Sequence, residues 1–256
     1  MNETKPQNRD FVTSLAKGLS VIQAFGADTP RMTLSEVAAK TGLTRAGARR
    51  LLLTLHELGF VQNNGRYFEL APRVLSLGYS FLAAHNFTNV IQSFLEEVTR
   101  QLHESCSVGM LDGEDIVYVA RSAADHRLMS IGLSVGSRLP ALATSMGRVI
   151  VAHMPDEDVE ALLGRVSLRP YTDRTVTDAD ALRGILQRVR KQGYCVVDQE
   201  LEHSLRSLAV PVYSATGKVV AAVNVSTNAG RVRKRELLTT FLKVLRRCAE
   251  DIRPYI

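Results

Sequence analysis

The sequence predicts an α+β chain of two domains joined by a helix. Three observations carry that prediction. The 256 residues exceed one ordinary domain of roughly 150. The first 71 residues alternate short helical stripes with turn signals and close on a hairpin. From about residue 87, strand-like runs are grouped between helical ones, the pattern of an antiparallel sheet with helices segregated around it. The expected divisions are a polar tail over 1–10, a winged helix–turn–helix over 11–71, a linking helix over 72–86 and an α+β domain over 87–256.

Each element has a local reason. Ser14 is placed to cap a first helix carrying Leu15, Leu19, Ile22 and Phe25 at helical spacing, ended by Gly26 and Thr29-Pro30. Ser35 is placed to cap a second, which stops at Thr41-Gly42. Thr44 caps a third with Ala48, Leu51, Leu55 and Leu58 on one face, and Gly59 ends it. Phe60–Gln62, the Asn63-Asn64-Gly65 turn and Arg66–Leu70 read as a hairpin. Pro72 suits the first position of the linking helix, whose apolar face is wide enough to need a partner, such as a second subunit. Beyond it a helix carries Val90, Ile91, Phe94, Leu95, Val98 and Leu102. Strands are expected at 106–111, 116–121 and 128–133, helices at 144–153, 156–163 and 178–191, strands at 194–197, 205–213 and 218–226, then a basic closing helix.

Hydrophobic residues make up 45% and charged residues 23%, an ordinary folded composition that argues against disorder, collagen and disulfide scaffolds. No apolar run approaches the roughly 18 residues that span a bilayer, and Met1–Asp10 lacks the apolar core of a signal peptide, so no membrane partner is expected. Three scattered cysteines, Cys106, Cys195 and Cys248, fit neither a disulfide framework nor a zinc site and point to the cytoplasm. The net charge of +6 is unevenly spread. Residues 1–71 carry 9 basic and 6 acidic side chains, whereas residues 231–256 carry 8 and 3.

The segment Leu34–Leu51 is the most informative. A helix–turn–helix needs a small residue where its helices cross and a residue tolerant of positive φ four positions later; Ala38 and Gly42 stand there. The second helix of such a pair lies in the DNA major groove, with its first turns at the base edges. Arg45 and Arg49, four apart, share a face, and Arg50 adjoins it. Arginine binds guanine bidentately or clamps a phosphate. Thr44, Arg66 on the wing and Lys17 complete the candidate contacts with double-stranded DNA. The basic run Arg231–Arg235 lacks a groove-entering element and reads as a solvated helix start.

Catalysis finds little support. Gly132-Leu133-Ser134-Val135-Gly136 matches G-x-S-x-G, but Gly136 and Pro140 prevent the helix that a nucleophile elbow requires. The six histidines have no metal-ligand spacing, and no phosphate loop or dinucleotide fingerprint is present; neither cofactor nor metal is expected. Asp198, Glu200 and Glu202 read as a loop or the rim of a ligand site.

Several segments together resemble the IclR family of bacterial transcriptional regulators. They are Ser14–Leu19, Arg50-Leu51-Leu52 through Gly59-Phe60-Val61, and Val135–Pro140. Glu104–Ser107, Leu111-Asp112-Gly113, Tyr118–Ser122 and Thr144–Arg148 resemble its β-ketoadipate-pathway branch, which regulates protocatechuate and 4-hydroxybenzoate catabolism. The resemblance implies a GAF-like C-terminal domain binding a small organic acid, dimers or tetramers on DNA, and RNA polymerase as a further candidate partner. It implies pocket residues at Ser145 and Met146, at Asp198, and from Leu205 to Ser207, where many members carry cysteine in place of Ser207. The residues themselves agree. Thr144 or Ser145 caps a helix whose free amides and dipole suit a carboxylate. Arg127, Arg138 and Arg148 are candidates for a second contact, and Tyr118 and Met129 are strand residues near the site.

The expected function is a DNA-binding regulator of aromatic-acid catabolism that answers to protocatechuate, 4-hydroxybenzoate or a β-ketoadipate-like acid. Two alternatives are an enzyme acting on a small acid with a DNA-binding appendage, and an architectural DNA-binding protein without a ligand. Turnover of the acid would mark the first, and sequence-independent DNA binding without an effector response the second.

Overall fold

The computed structural model describes residues 10–84, 90–124 and 132–256. The chain divides into two compact units, 1–81 and 82–256. Residues 1–9 of the expected tail over 1–10, the end of the linking helix at 85–86, and Arg127 and Met129 lie outside the described residues.

In the first unit, α1 spans Thr13–Gln23 and begins after Val12 without a side-chain cap; Ser14 lies inside the helix and is not its cap. Its buried face is Val21, with Ala24 and Phe25 just beyond, while Leu15 and Leu19 are exposed, contrary to the predicted stripe. A three-residue strand the sequence did not signal, β1 (Arg31–Thr33), leads into α2 (Leu34–Thr41). The cap of α2 is Thr33 rather than Ser35. Glu36 N donates to Thr33 Oγ1 at 3.4 Å, and Thr33 N donates to Glu36 Oε2 at 2.7 Å, a reciprocal capping box that outcompetes a serine two residues on.

Gly42 adopts φ +66° and turns the chain into α3 (Arg45–Glu57). Gly47 N donates to Thr44 Oγ1 at 3.1 Å, which makes Thr44 the cap expected. The buried stripe of α3 is Ala48, Leu52 and Leu55; Leu51 is half-buried and Leu58 is 50% exposed, so the stripe is rotated from the predicted one. The wing is β2 (Val61–Asn63) and β3 (Tyr67–Leu70), and β3 lies between β1 and β2 in an antiparallel sheet. Asn63 and Asn64 side chains accept from Gly65 N at 2.8 Å and Tyr67 N at 3.0 Å, which closes the turn.

Pro72 occupies the first turn of a 3-10 segment over Pro72–Val74 that continues as α4 (Leu75–Ala84). The second unit then contributes α5 (Val90–Leu102), β4 (Ser105–Asp112), β5 (Asp115–Ser122) and β6 (Arg138–Pro140). Next come α6 (Ser145–Ala152), α7 (Asp156–Arg165), α8 (Ala179–Gln192), β7 (Cys195–Asp198), β8 (Leu205–Tyr213) and β9 (Val219–Asn228). The chain closes with α9 (Lys234–Glu236), a π-helical turn over Leu237–Phe241, and α10 (Leu242–Ile252). The strand expected at 128–133 is absent where it can be seen, at Gly132 and Leu133; β6 pairs with β5 instead.

The sheet runs β6-β5-β4-β9-β8-β7, antiparallel throughout. Its alternating residues feed two cores. Val108, Val210, Val223 and Val225 pack against α5 and α10, whereas Ile116, Ala209 and Ala222 pack against α6 and α8. Helix α6 lies very close to its neighbours. A Cβ on Gly147 would sit 2.1 Å from Ala141 O, and one on Gly109 would sit 3.0 Å from Met146 Sδ. Both glycines are therefore places where backbone meets another element directly.

Candidate functional sites

The first unit presents α3 as an exposed basic helix. Arg45, Arg49 and Arg50 are all exposed, and none pairs with a carboxylate among the described residues. Arg50 lies nearly opposite the buried stripe, on the face α3 offers outward. Arg66 projects from the wing with its guanidinium 5.3 Å from the Tyr67 ring, and Lys17 is exposed on α1. Arginines left without carboxylates on a capped, groove-sized helix suit phosphate and base contacts.

The second unit contains a small cavity, about 20 Å³, between the sheet and the start of α6. Tyr118, Thr144, Ser145, Ser207, Asn224 and Ser226 supply its polar lining, and Leu139, Val197, Leu201 and Leu205 its apolar lining. Thr144 Oγ1 accepts from Gly147 N at 3.1 Å and so caps α6. The amides of Ser145 and Met146 lie in the first turn, where the helix has no carbonyl to offer them. Two side-chain atoms lining the cavity are fully buried without a hydrogen-bond partner: Ser145 Oγ and Asn224 Oδ1. An unsatisfied buried polar atom costs about 1–3 kcal/mol, so two converging on one cavity mark a place for a polar ligand.

The structure sorts the predicted ligand residues. Ser145, Tyr118, Leu205 and Ser207 line the cavity. Met146 is buried beside Gly109 and does not line it. Arg148 is only 1% exposed, and its guanidinium is consumed by other partners. Nε donates to Leu142 O at 2.7 Å, and Nη1 and Nη2 donate to Glu200 Oε1 and Oε2 at 2.7 and 2.6 Å. Arg148 therefore holds structure instead of reaching into the cavity. Asp198 is bound by Arg206 at 2.9 and 3.0 Å. Burial alone would raise its carboxyl pKa, but the arginine holds it below the usual value. Arg138 pairs with Asp112 at 2.6 Å and Asp115 at 3.1 Å and orders the β5–β6 region. The acidic cluster is thus structural at Asp198 and Glu200.

Asn224 and Ser226 escaped the sequence reading. Their signal was present: two polar residues inside the apolar run of β9. The G-x-S-x-G segment is a turn, with Gly136 at φ +88° and Ser137 N donating to Ser134 O at 3.0 Å; the next element is a strand. No described helix is long and apolar enough to cross a membrane.

Comparison with known proteins agrees with this architecture. Residues 14–65 match the family model described as the IclR helix-turn-helix domain, and residues 79–253 match the model described as bacterial transcriptional regulator IclR C-terminal. The chain is 47% identical over 243 residues to the Pca regulon regulatory protein of Pseudomonas putida, covering 95% of this chain and 84% of that protein. A crystal structure of a transcriptional regulator from Rhodococcus sp. RHA1 superposes with a TM-score of 0.83 at 48% identity, covering 96% of this chain and 98% of that one. The inducer-binding domain of an Acinetobacter PobR transcription factor double mutant, solved with 3-hydroxybenzoic acid, is 34% identical with a TM-score of 0.62. It spans 65% of this chain and 97% of its own. The chain is a helix–turn–helix transcriptional regulator, not an enzyme, and belongs to the IclR family.

Proposed function

We propose that this regulator senses a small aromatic acid in the cavity beside Ser145 and thereby controls genes of aromatic-acid breakdown by the β-ketoadipate route. The observation that carries the reading is the pair of orphaned atoms, Ser145 Oγ and Asn224 Oδ1, at the start of a capped helix. A carboxylate there would receive the first-turn amides of α6 and the positive end of its dipole. The cavity is small as it stands, so its apolar walls, Leu139, Val197, Leu201 and Leu205, must part to take an aromatic ring between them. The names of the Pseudomonas putida relative and of the PobR complex support this chemistry.

Arg45, Arg49 and Arg50 then read the operator, with Thr44, Arg66 and Lys17 on phosphates. Two copies bind together. Leu75 and Tyr79 on one side of α4, and Leu77 and Phe81 on the other, are all exposed, apolar surface that a second subunit would cover. Acid binding favours one arrangement of the paired DNA-binding domains, and the segment over 72–86 carries the coupling.

Thermal unfolding of the full chain with protocatechuate, 4-hydroxybenzoate, β-ketoadipate and muconate tests the reading. An acid present at 100 times its dissociation constant should add about 2.7 kcal/mol of stability. A protein that no member of the panel stabilises would contradict it.

A further inference from the structure

We propose that Arg121 is the charged partner of the effector's carboxylate and sets the preference for an acid over its uncharged analogues. This rests on the aromatic-acid reading above and adds a residue that reading leaves out.

A carboxylate moved from water into an enclosed cavity needs compensating charge. The start of α6 supplies about half an elementary charge. No lysine or arginine is among the residues lining the cavity. Three arginines project from the described strands near it: Arg121, Arg138 and Arg206. Arg138 is neutralised by Asp112 and Asp115, and Arg206 by Asp198. The buried Arg148 on α6 is neutralised by Glu200. Arg121 pairs with no carboxylate among the described residues.

The sheet register directs Arg121 toward the cavity. Arg121 stands opposite Ser107 on β4, and Ser107 stands opposite Asn224 on β9. Residues paired across strands share a face, and Asn224 lines the cavity. Arg121, Ser107 and Asn224 therefore form one row on the cavity side. Arg121 Nη1 donates to Ser107 Oγ at 3.0 Å, and that is its one hydrogen bond within the described residues. A guanidinium has five N–H donors in a planar fork, so the remainder can meet a carboxylate. Tyr118, which lines the cavity, feels the same charge: burial pushes its phenol up to about 12, and Arg121 opposes that shift. Burial likewise draws the Arg121 guanidinium below its usual value, the mark of a cation held partly out of water. An arginine directly after the apolar run Ile116–Ala120, still within the strand, was the available sequence signal.

The test compares 4-hydroxybenzoate with uncharged 4-hydroxybenzamide by calorimetric titration of the full-length protein. Wild type should prefer the acid. Arg121→Gln should weaken the acid by about 10- to 100-fold, the range for losing a charged hydrogen bond. It should leave the amide nearly unchanged, so that the preference collapses. Arg121→Lys should retain part of it. Ser107→Ala, which frees the guanidinium without removing it, should keep the preference. If Arg121→Gln does not fold, Arg121→Met, which keeps the aliphatic stem without the charge, decides the matter by the same readout. Unaltered acid affinity in Arg121→Gln would overturn the assignment, as would equal losses for acid and amide, which mark a structural role. Wild type that binds neither 4-hydroxybenzoate nor protocatechuate would defeat the aromatic-acid reading itself, and this inference with it.

Discussion

The guanidinium of Arg148 on α6 and the carboxylate of Glu200 after β7 meet in two parallel hydrogen bonds of 2.7 and 2.6 Å, 52 residues apart in sequence. The same carboxylate accepts from Val176 N at 3.1 Å, and the Glu200 carbonyl accepts from Thr175 Oγ1 at 2.6 Å. One ion pair thus ties the helix that borders the cavity to two loops, and the next residue, Leu201, is part of the cavity wall.

Glu200→Gln should therefore be costly. It leaves a buried guanidinium without its counter-charge, a loss of about 3–5 kcal/mol. Urea unfolding of the variant should show a lower midpoint, and acid binding should weaken with it as Leu201 loses its support. A midpoint equal to wild type would mean that the pair is dispensable.

Gly147→Ala tests the seating of α6. The added methyl would lie 2.1 Å from Ala141 O and 2.4 Å from Ala141 Cα, both backbone atoms that cannot step aside alone. A destabilisation of about 3 kcal/mol or more is expected, at the upper end for overpacking, although alanine favours helices intrinsically. Thermal unfolding measures it; a stabilised variant would show that α6 moves freely.

Arg49→Ala should weaken operator binding by about 1–3 kcal/mol and relax base preference at one position if Arg49 makes a bidentate base contact. Arg66→Ala should weaken all sequences alike and lower the salt dependence, as phosphate contacts do. Fluorescence anisotropy against a selected operator and its point variants separates the two. Arg49→Ala with unaltered affinity and preference would remove it from the interface.

Local chemistry made much of the fold legible. The Thr44 cap, the turn at Gly42 and the Asn63-Asn64-Gly65 hairpin are fixed by neighbours in sequence. What was missed depends on distant partners. β1 exists because Arg31–Thr33 pairs with Tyr67–Glu69, and β6 because Arg138–Pro140 pairs with the start of β5 at the sheet edge, where Pro140 is tolerated. Thr33 and Ser35 look equally good as caps until Glu36 answers Thr33. In the cavity, Ser145 was legible as part of a helix start. Arg148 misled because the partner that neutralises it, Glu200, is brought near only by folding.

Alkaline pH should destabilise the second unit. Burial raises the Tyr118 phenol to about 12, and raises the Cys195 thiol to about 12 as well. The folded state therefore keeps protons that the unfolded chain gives up near pH 10 and 9. Stability from these groups is complete below about pH 9 and declines as pH rises toward about 12. Tyr118→Phe should flatten the decline above about pH 10 in urea unfolding, and an identical slope in variant and wild type would contradict the assignment.

In the proposed mechanism, an acid bound beside Ser145 controls DNA binding from another part of the chain. Ser145→Leu places a branched apolar side chain where the buried hydroxyl waits for a partner. The direct measurement is operator binding by full-length wild type and Ser145→Leu, each titrated with protocatechuate and 4-hydroxybenzoate. Without acid the two proteins should bind the operator alike, since α3 belongs to the first unit. With acid, wild type should change its operator affinity and Ser145→Leu should not. A folded Ser145→Leu protein that responds to the acid as wild type does would contradict the claim.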